Sequence, residues 1–310
     1  MRPALRSGLL PLWRDRDTVQ VGVDPRRAIA ISGMRGAAEI IQLLDGSRSR
    51  EQVVAEATER GVPAALTERV IMLLATGDAI IDFPADTLRS MPGELRRELA
   101  PVLAVAALSG GDGDGGVRML GRRAMTAVGV YGSGPIAYLT TDLLTRSGLS
   151  ARAWSPERLS DSNASDLMVL VGYPPPDCLA ELVRMRVPHL AVCVSEAIGV
   201  VGPLVQPGVT ACLRCLDFAR AERDAAWPLI LAQLPVSRMD LTSDDALLAT
   251  AVAAQAAGQA VAFADRSGVA DATRNGTLEL ALPDWQWRRR TWPPHPACSC
   301  GGWESAARGR

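Results

Sequence analysis

The sequence predicts an α/β chain in two parts: a small α+β module, then a larger domain of alternating strands and helices. Three observations carry that expectation. Period-two alternation early in the chain gives way to helix-period segments. From Ala124 onward, short apolar runs alternate with amphipathic stretches. Finally, a C-x-x-C pair at Cys212 and Cys215 is matched by a C-x-C pair at Cys298 and Cys300. At 310 residues the chain has room for two domains with buried cores.

Residues 1–85 are expected to form the small module. Thr18-Val-Gln-Val-Gly-Val alternates, Asp24-Pro-Arg-Arg turns, and Ala28-Ile-Ala-Ile-Ser continues as a second strand, with Leu9–Trp13 as a further one. Ala38, Ile41 and Leu44 have helical spacing, so Met34–Leu44 is predicted as a helix. It stops at Asp45-Gly46, where glycine accepts the left-handed conformation. A second helix follows with Ser47 or Ser49 as N-cap. A third covers Ala64–Ala75, with Leu66, Val70, Leu73 and Leu74 on one face, and Gly77–Asp82 returns as a strand. Strands, three helices and a closing strand describe a winged-helix-like domain. Residues 86–122 read as a connector, helical over Glu94–Leu108 and then flexible over the glycine-rich stretch from Ser109.

Residues 123–310 form the second domain. Strands are predicted at Met125–Tyr131, Ala151–Trp154, Leu167–Gly172 and His189–Val194, and helices at Gly132–Leu144, with Pro135 in the first turn, and at Leu179–Met185. This is the βαβ order of a Rossmann-like domain. An alanine-rich helix at Asp244–Ala264 and a strand at Gly276–Leu282 lead to the second cysteine pair.

Two short chelating loops far apart in sequence are what a tetrahedral four-thiolate zinc site requires, so Cys212, Cys215, Cys298 and Cys300 are the predicted ligands of a structural Zn²⁺. A disulfide framework is not expected, because nothing at the N-terminus has the form of a signal peptide and a cytoplasmic chain keeps its thiols reduced. His295 lies beside the second pair and could orient a thiolate or replace a ligand, although four cysteines already complete a tetrahedron. His189, in a strand, reads as structural.

Gly132-Ser-Gly134-Pro-Ile-Ala137 follows a strand and opens a helix, the context of a phosphate-binding G-x-G-x-x-A turn. The rest of a nucleotide site is missing. An acid to hold the ribose should end the second strand, which instead reads Ala153-Trp154-Ser155-Pro156; Glu157 is the first acid beyond. The next strand ends in Gly172-Tyr-Pro-Pro-Pro176 before Asp177, where a magnesium-holding acid would be needed. All 33 basic residues are arginine, so no lysine can reach a phosphate. The turn reads as a vestigial backbone corner, and ATP is not expected as a cofactor. Cys178 lacks an activating base and reads as inert; Cys193 reads as core.

Together, an N-terminal winged-helix-like module, a Gly-rich turn and two late cysteine pairs resemble one family. The second half is similar to ThiF/MoeB-type adenylyltransferases of the ubiquitin-activating-like fold. The whole chain resembles the ThiF-like cyclodehydratase partner proteins that bind precursor leader peptides in azole-forming pathways. Gly202-Pro-Leu-Val-Gln-Pro-Gly-Val-Thr-Ala-Cys-Leu-Arg-Cys-Leu and His295-Pro-Ala-Cys-Ser-Cys look like that group's signature segments, as does Gly8-Leu-Leu-Pro-Leu-Trp-Arg followed by Val19-Gln-Val-Gly.

The resemblance implies a non-catalytic scaffold whose front module is similar to a RiPP recognition element, with the chemistry done by a separate YcaO-type enzyme. By that analogy the leader peptide adds a strand along Ala28–Ser32, with Ile29 and Ile31, and meets the third helix at Val70 and Leu74. The competing expectation is that these side chains simply fill the module's core. A homodimer is compatible with the family.

The second functional reading is an ATP-dependent adenylyltransferase acting on a peptide or carrier-protein C-terminus through the Gly132 turn. A third, a DNA-binding winged helix, is disfavoured by a net charge of −1. Trp285, Trp287 and Trp292 interleave with Arg288–Arg290, which suits cation–π packing or a partner surface better than nucleic-acid stacking. No apolar run reaches the roughly 18 residues that span a bilayer, and a cytoplasmic location without membrane or nucleic-acid partners is expected.

Overall fold

The computed structural model describes residues 1–85, 92–110, 113–155, 165–233, 245–266 and 272–301. The chain divides into two compact units, Met1–Gly121 and Arg122–Arg310.

The first unit begins with β1 (Pro3–Leu5), followed by the antiparallel sheet of β2 (Pro11–Trp13), β3 (Thr18–Val21) and β4 (Ile29–Ser32), with β3 in the centre. Three helices follow: α1 (Ala37–Leu43), α2 (Arg50–Glu59) and α3 (Ala64–Thr76). Ser49 caps α2 through a capping box with Gln52, which selects Ser49 over Ser47. Val19, Val21 and Ile31 on one face of the sheet pack with Ile40, Ile41, Val53, Val70, Ile71 and Leu74 from the helices.

The closing strand β5 (Ile80–Asp82) pairs with β1 and not with the three-stranded sheet. A three-residue strand such as β1 is too short to leave a readable period in the sequence. α4 (Gly93–Gly110) lies against this module. The buried Arg6 guanidinium donates to the Asp78 carbonyl and to Ala107 O, and pairs with the Asp78 carboxylate. The expected glycine-rich loop lies partly outside the described residues, at 111–112.

α5 (Val117–Met125) takes Met125 out of the first predicted strand and leads into a seven-stranded mixed sheet, ordered β12-β11-β10-β9-β8-β6-β7. β6 (Ala127–Tyr131), β7 (Ser150–Trp154), β8 (Leu167–Val171) and β9 (His189–Ser195) are parallel. β10 (Ile198–Val205), β11 (Gly276–Ala281) and β12 (Gln286–Thr291) extend the sheet antiparallel.

One face is covered by α6 (Gly134–Arg146) and α10 (Ala246–Asp265), whose Ile136, Leu144, Leu248, Val252 and Ala256 pack on Val128, Val130, Val169, Leu190 and Val192. α10 is long and apolar enough to cross a membrane by length and composition, and half of its apolar window is buried on this sheet. Asp245 caps it by accepting from the Leu248 amide at 2.7 Å; Asp244 is outside the described residues. Over β6–β8 the other face is covered by α7 (Pro176–Arg184), with Cys178 and Leu182 against Trp154, Met168 and Leu170. α8 (Leu213–Ala221) and α9 (Trp227–Gln233) follow β10.

Candidate metal centre

β10 runs out at Val205, and the chain turns through Gly208 into α8, whose N-cap is Cys212. Thr210 pins this turn: its hydroxyl accepts from the Gln206 amide at 2.8 Å and donates to Leu204 O at 3.1 Å. The turn of the C-x-x-C pair closes with Cys215 N–H donating to Cys212 O at 3.0 Å. On the second segment, Cys298 N–H donates to His295 O at 3.0 Å. Gly301 and Gly208 bring the two loops together, since a Cβ on Gly301 would lie 3.6 Å from the Gly208 Cα. Asn275 ties both segments. Its side-chain oxygen accepts from Ala211 N–H at 2.7 Å, and its own carbonyl accepts from Trp292 N–H at 2.8 Å.

These contacts converge four thiols. The Sγ–Sγ separations are 3.8 Å for Cys212–Cys215, 3.6 Å for Cys212–Cys298 and 3.5 Å for Cys215–Cys300, and all four sulfurs lie within 4.8 Å of one another. A tetrahedron with metal–sulfur bonds of about 2.3 Å has edges of about 3.8 Å. Disulfide sulfurs would stand about 2.05 Å apart. Cys212, Cys215 and Cys298 are buried and Cys300 is half-buried.

The donor set and its spacing therefore fit a four-thiolate zinc ion. Without a cation the same crowding is unfavourable. Hydrogen bonding to Cys215 and burial push the Cys212 thiol far up, and burial raises Cys298 to about 11, while hydrogen bonds from Cys212 hold Cys215 down at about 4. Burial without a cation thus disfavours ionisation at Cys212 and Cys298 beside the Cys215 thiolate; a divalent metal would allow the whole set to ionise.

Both ring nitrogens of His295 are engaged away from the four sulfurs. Its Nδ1 accepts from Ala297 N–H at 3.2 Å, which leaves Nε2–H to donate to Glu222 at 2.9 Å, and its ring stacks on Phe218 at 5.1 Å. It braces the knuckle against α8. Asn275, Phe218 and Glu222 were not singled out from the sequence; Asn275-Gly276 before a strand was the one local signal available.

The Gly132 turn keeps its shape. Gly132 has φ 109°, and a Cβ there would lie 2.5 Å from Val171 O; Gly134 has φ 80°, and Ala137 is buried in α6. At the place of the ribose-binding acid, Trp154 is buried, with its ring 6.0 Å from that of Tyr131 and its Nε1 without a hydrogen-bond partner among the described residues. Glu157 is outside the described residues. Cys178 is buried, and burial raises its thiol. The hydroxyl of Tyr173 lies 3.7 Å from Cys193 Sγ.

In the first unit, β4 is a sheet edge, pairing only with β3 among the described residues. Ala28 and Ile29 are half-buried, and Ile31, Val70 and Leu74 are closed inside the core. Leu73 is half-buried one turn before Gly77, where a Cβ would strike Ile29, so that face of α3 borders β4.

No protein-family model and no curated protein matches the chain by sequence. Solved structures do match. E. coli MccB, crystallised with AMPCPP and selenomethionine MccA, has a TM-score of 0.65 at 14% identity, covering 97% of this chain and 100% of that one. The shared property is the fold. The heterocyclase TruD has a TM-score of 0.67 at 16% identity, covering 99% of this chain and 44% of its own. A heterocyclase in complex with substrate and cofactor gives 0.67 at 15%, with 97% and 40% covered. The chain thus spans less than half the length of these two heterocyclases.

Proposed function

We propose that this protein is a non-catalytic scaffold for peptide modification: the first unit binds the leader segment of a ribosomal peptide, and the second, fastened by zinc, presents it to a YcaO-type partner enzyme. Trp154 is the observation that carries the reading. A buried indole stands where a nucleotide site needs a carboxylate, and no lysine exists anywhere to compensate. The Gly132–Gly134 turn then serves as a backbone corner. The peptide adds a strand to the free edge of β4, along Ala28–Ser32, with Ile29 and Leu73 offered to its side chains and Val70 and Leu74 supporting them from the core. The matched fold of MccB, whose crystals hold the peptide MccA, and that of the heterocyclase TruD support a peptide-modifying context.

Amide hydrogen exchange of the zinc-loaded protein, with a precursor peptide encoded beside its gene, tests this. Slowed exchange at residues 28–32 is expected, with none at 132–137. The second reading, an adenylyltransferase, is favoured by the intact positive-φ turn and by the AMPCPP in the MccB crystals. ATP–pyrophosphate exchange abolished by Gly134→Trp would establish it and remove the scaffold reading.

A further inference from the structure

Trp292 joins β12 to the second cysteine segment. Its indole is buried, donates from Nε1 to Thr277 Oγ1 at 2.9 Å, and carries three guanidinium groups. Arg290 lies 4.4 Å, Arg220 5.3 Å and Arg223 5.8 Å from the ring centroid, and Arg220 also stacks on Trp227 at 5.0 Å. The acid bonded to this cluster is Asp217, 3.4 Å from Arg220 and 3.2 Å from Trp227 Nε1. Glu279 accepts from Thr277 and Glu222 from His295. Among the described residues neither Arg223 nor Arg290 has a side-chain hydrogen bond or an ion pair, and both are exposed.

A guanidinium that stacks spends its face on the ring and leaves the N–H donors of its edge pointing outward. Around one indole, the edges of Arg223 and Arg290 keep unspent, carboxylate-matching donors, and Arg220, paired with Asp217, adds a third guanidinium to the patch. The patch is open, so a small free anion would compete poorly with water, whereas several carboxylates on one chain bind through linked contacts. Trp292 is buried and Trp227 lies under Arg220, so neither offers the free ring face that nucleic-acid bases stack on. Beside Trp227, α9 has no buried residue and exposes Leu229 by 66% and Ile230 by 40%. Cationic edges next to exposed aliphatic side chains match a chain that carries both acids and leucines.

We infer that Arg220, Arg223 and Arg290, with the exposed side chains of α9, form a docking surface for an acidic, leucine-rich segment of a protein partner. The surface is independent of the leader-peptide reading, because it lies wholly within the second unit and uses none of the residues assigned to the peptide. The probe is a fluorescein-labelled peptide of alternating Glu and Leu, titrated with the full-length zinc-loaded protein in fluorescence anisotropy at low salt. Binding is expected to weaken about tenfold in Arg223→Gln/Arg290→Gln, and severalfold in Arg223→Lys/Arg290→Lys, which keeps the charge but loses the planar fork. Thermal unfolding of both variants should match the parent, since both side chains are exposed. Equal binding of a Gln-for-Glu peptide, tighter binding of duplex DNA, or full affinity in the folded double Gln variant would each overturn the assignment.

Discussion

Asn275 sits at φ 51°, a conformation that asparagine and glycine accept and a Cβ-bearing apolar residue resists, and its side chain satisfies the Ala211 amide directly before Cys212. Asn275→Ala is therefore expected to lose both the hydrogen bond and the backbone fit, about 2–4 kcal/mol in chemical denaturation, with Asn275→Gly recovering the backbone part. His189 gives a second prediction at this scale. It is buried, with Nδ1 bonded to Val187 O at 3.0 Å, and burial lowers its pKa from 6.5 to about 4. Between those values the unfolded chain takes up a proton that the folded chain refuses. Stability is thus full above pH 6.5 and falls by up to about 3 kcal/mol as pH drops to 4. Urea titrations of His189→Leu should lack that share of the acid slope. The cysteines were legible in the sequence because chelation needs only local spacing; the roles of Asn275 and Trp154 depend on partners from distant segments, which spacing does not encode.

At the scale of elements, α10 packs directly on bare backbone. A Cβ at Gly199 in β10 would lie 2.3 Å from Val252 Cγ2. Valine has little rotamer freedom in a helix, so Gly199→Ala should cost about 1–3 kcal/mol through overpacking. Gly258, on the exposed side of α10 with nothing within 4 Å of its would-be Cβ, predicts the opposite: Gly258→Ala should stabilise by about 0.5–1 kcal/mol, and thermal unfolding of both variants checks the two signs. The parallel strands and their helices were readable because apolar runs and caps are local. β10 was missed because its hairpin turns on Glu196-Ala197, both at positive φ, without the glycine or asparagine that usually announces such a turn. β12 was missed because Arg288–Arg290 mask its alternation, although an edge strand tolerates charge on both faces.

At the scale of the whole molecule, the metal site spans the antiparallel extension of one unit only. Chelation, or Cys215→Ser, is expected to lower the calorimetric transition of residues 122–310 strongly, since a structural zinc contributes on the order of 10 kcal/mol; the transition of residues 1–121 should stay where it is. A single shift shared by both would remove the picture of separately stabilised units. The mixed α/β character of the chain was visible in its composition and in the period of its apolar residues. The reversal from parallel to antiparallel strands after β9 was not, because strand direction is set by connections that leave no pattern in the strands themselves.

The two cysteine pairs also hold the two halves of the arginine cluster. Arg220 and Arg223 belong to the helix that Cys212 caps and the turn after it, and Arg290 and Trp292 to the segment leading into Cys298. With zinc on the four thiols and an acidic segment on the proposed surface, metal and partner would be linked thermodynamically. Whatever factor zinc adds to the affinity for an acidic segment, that segment must return to the affinity for zinc. That shared factor is also the most by which the supply of zinc could change the binding of such a segment.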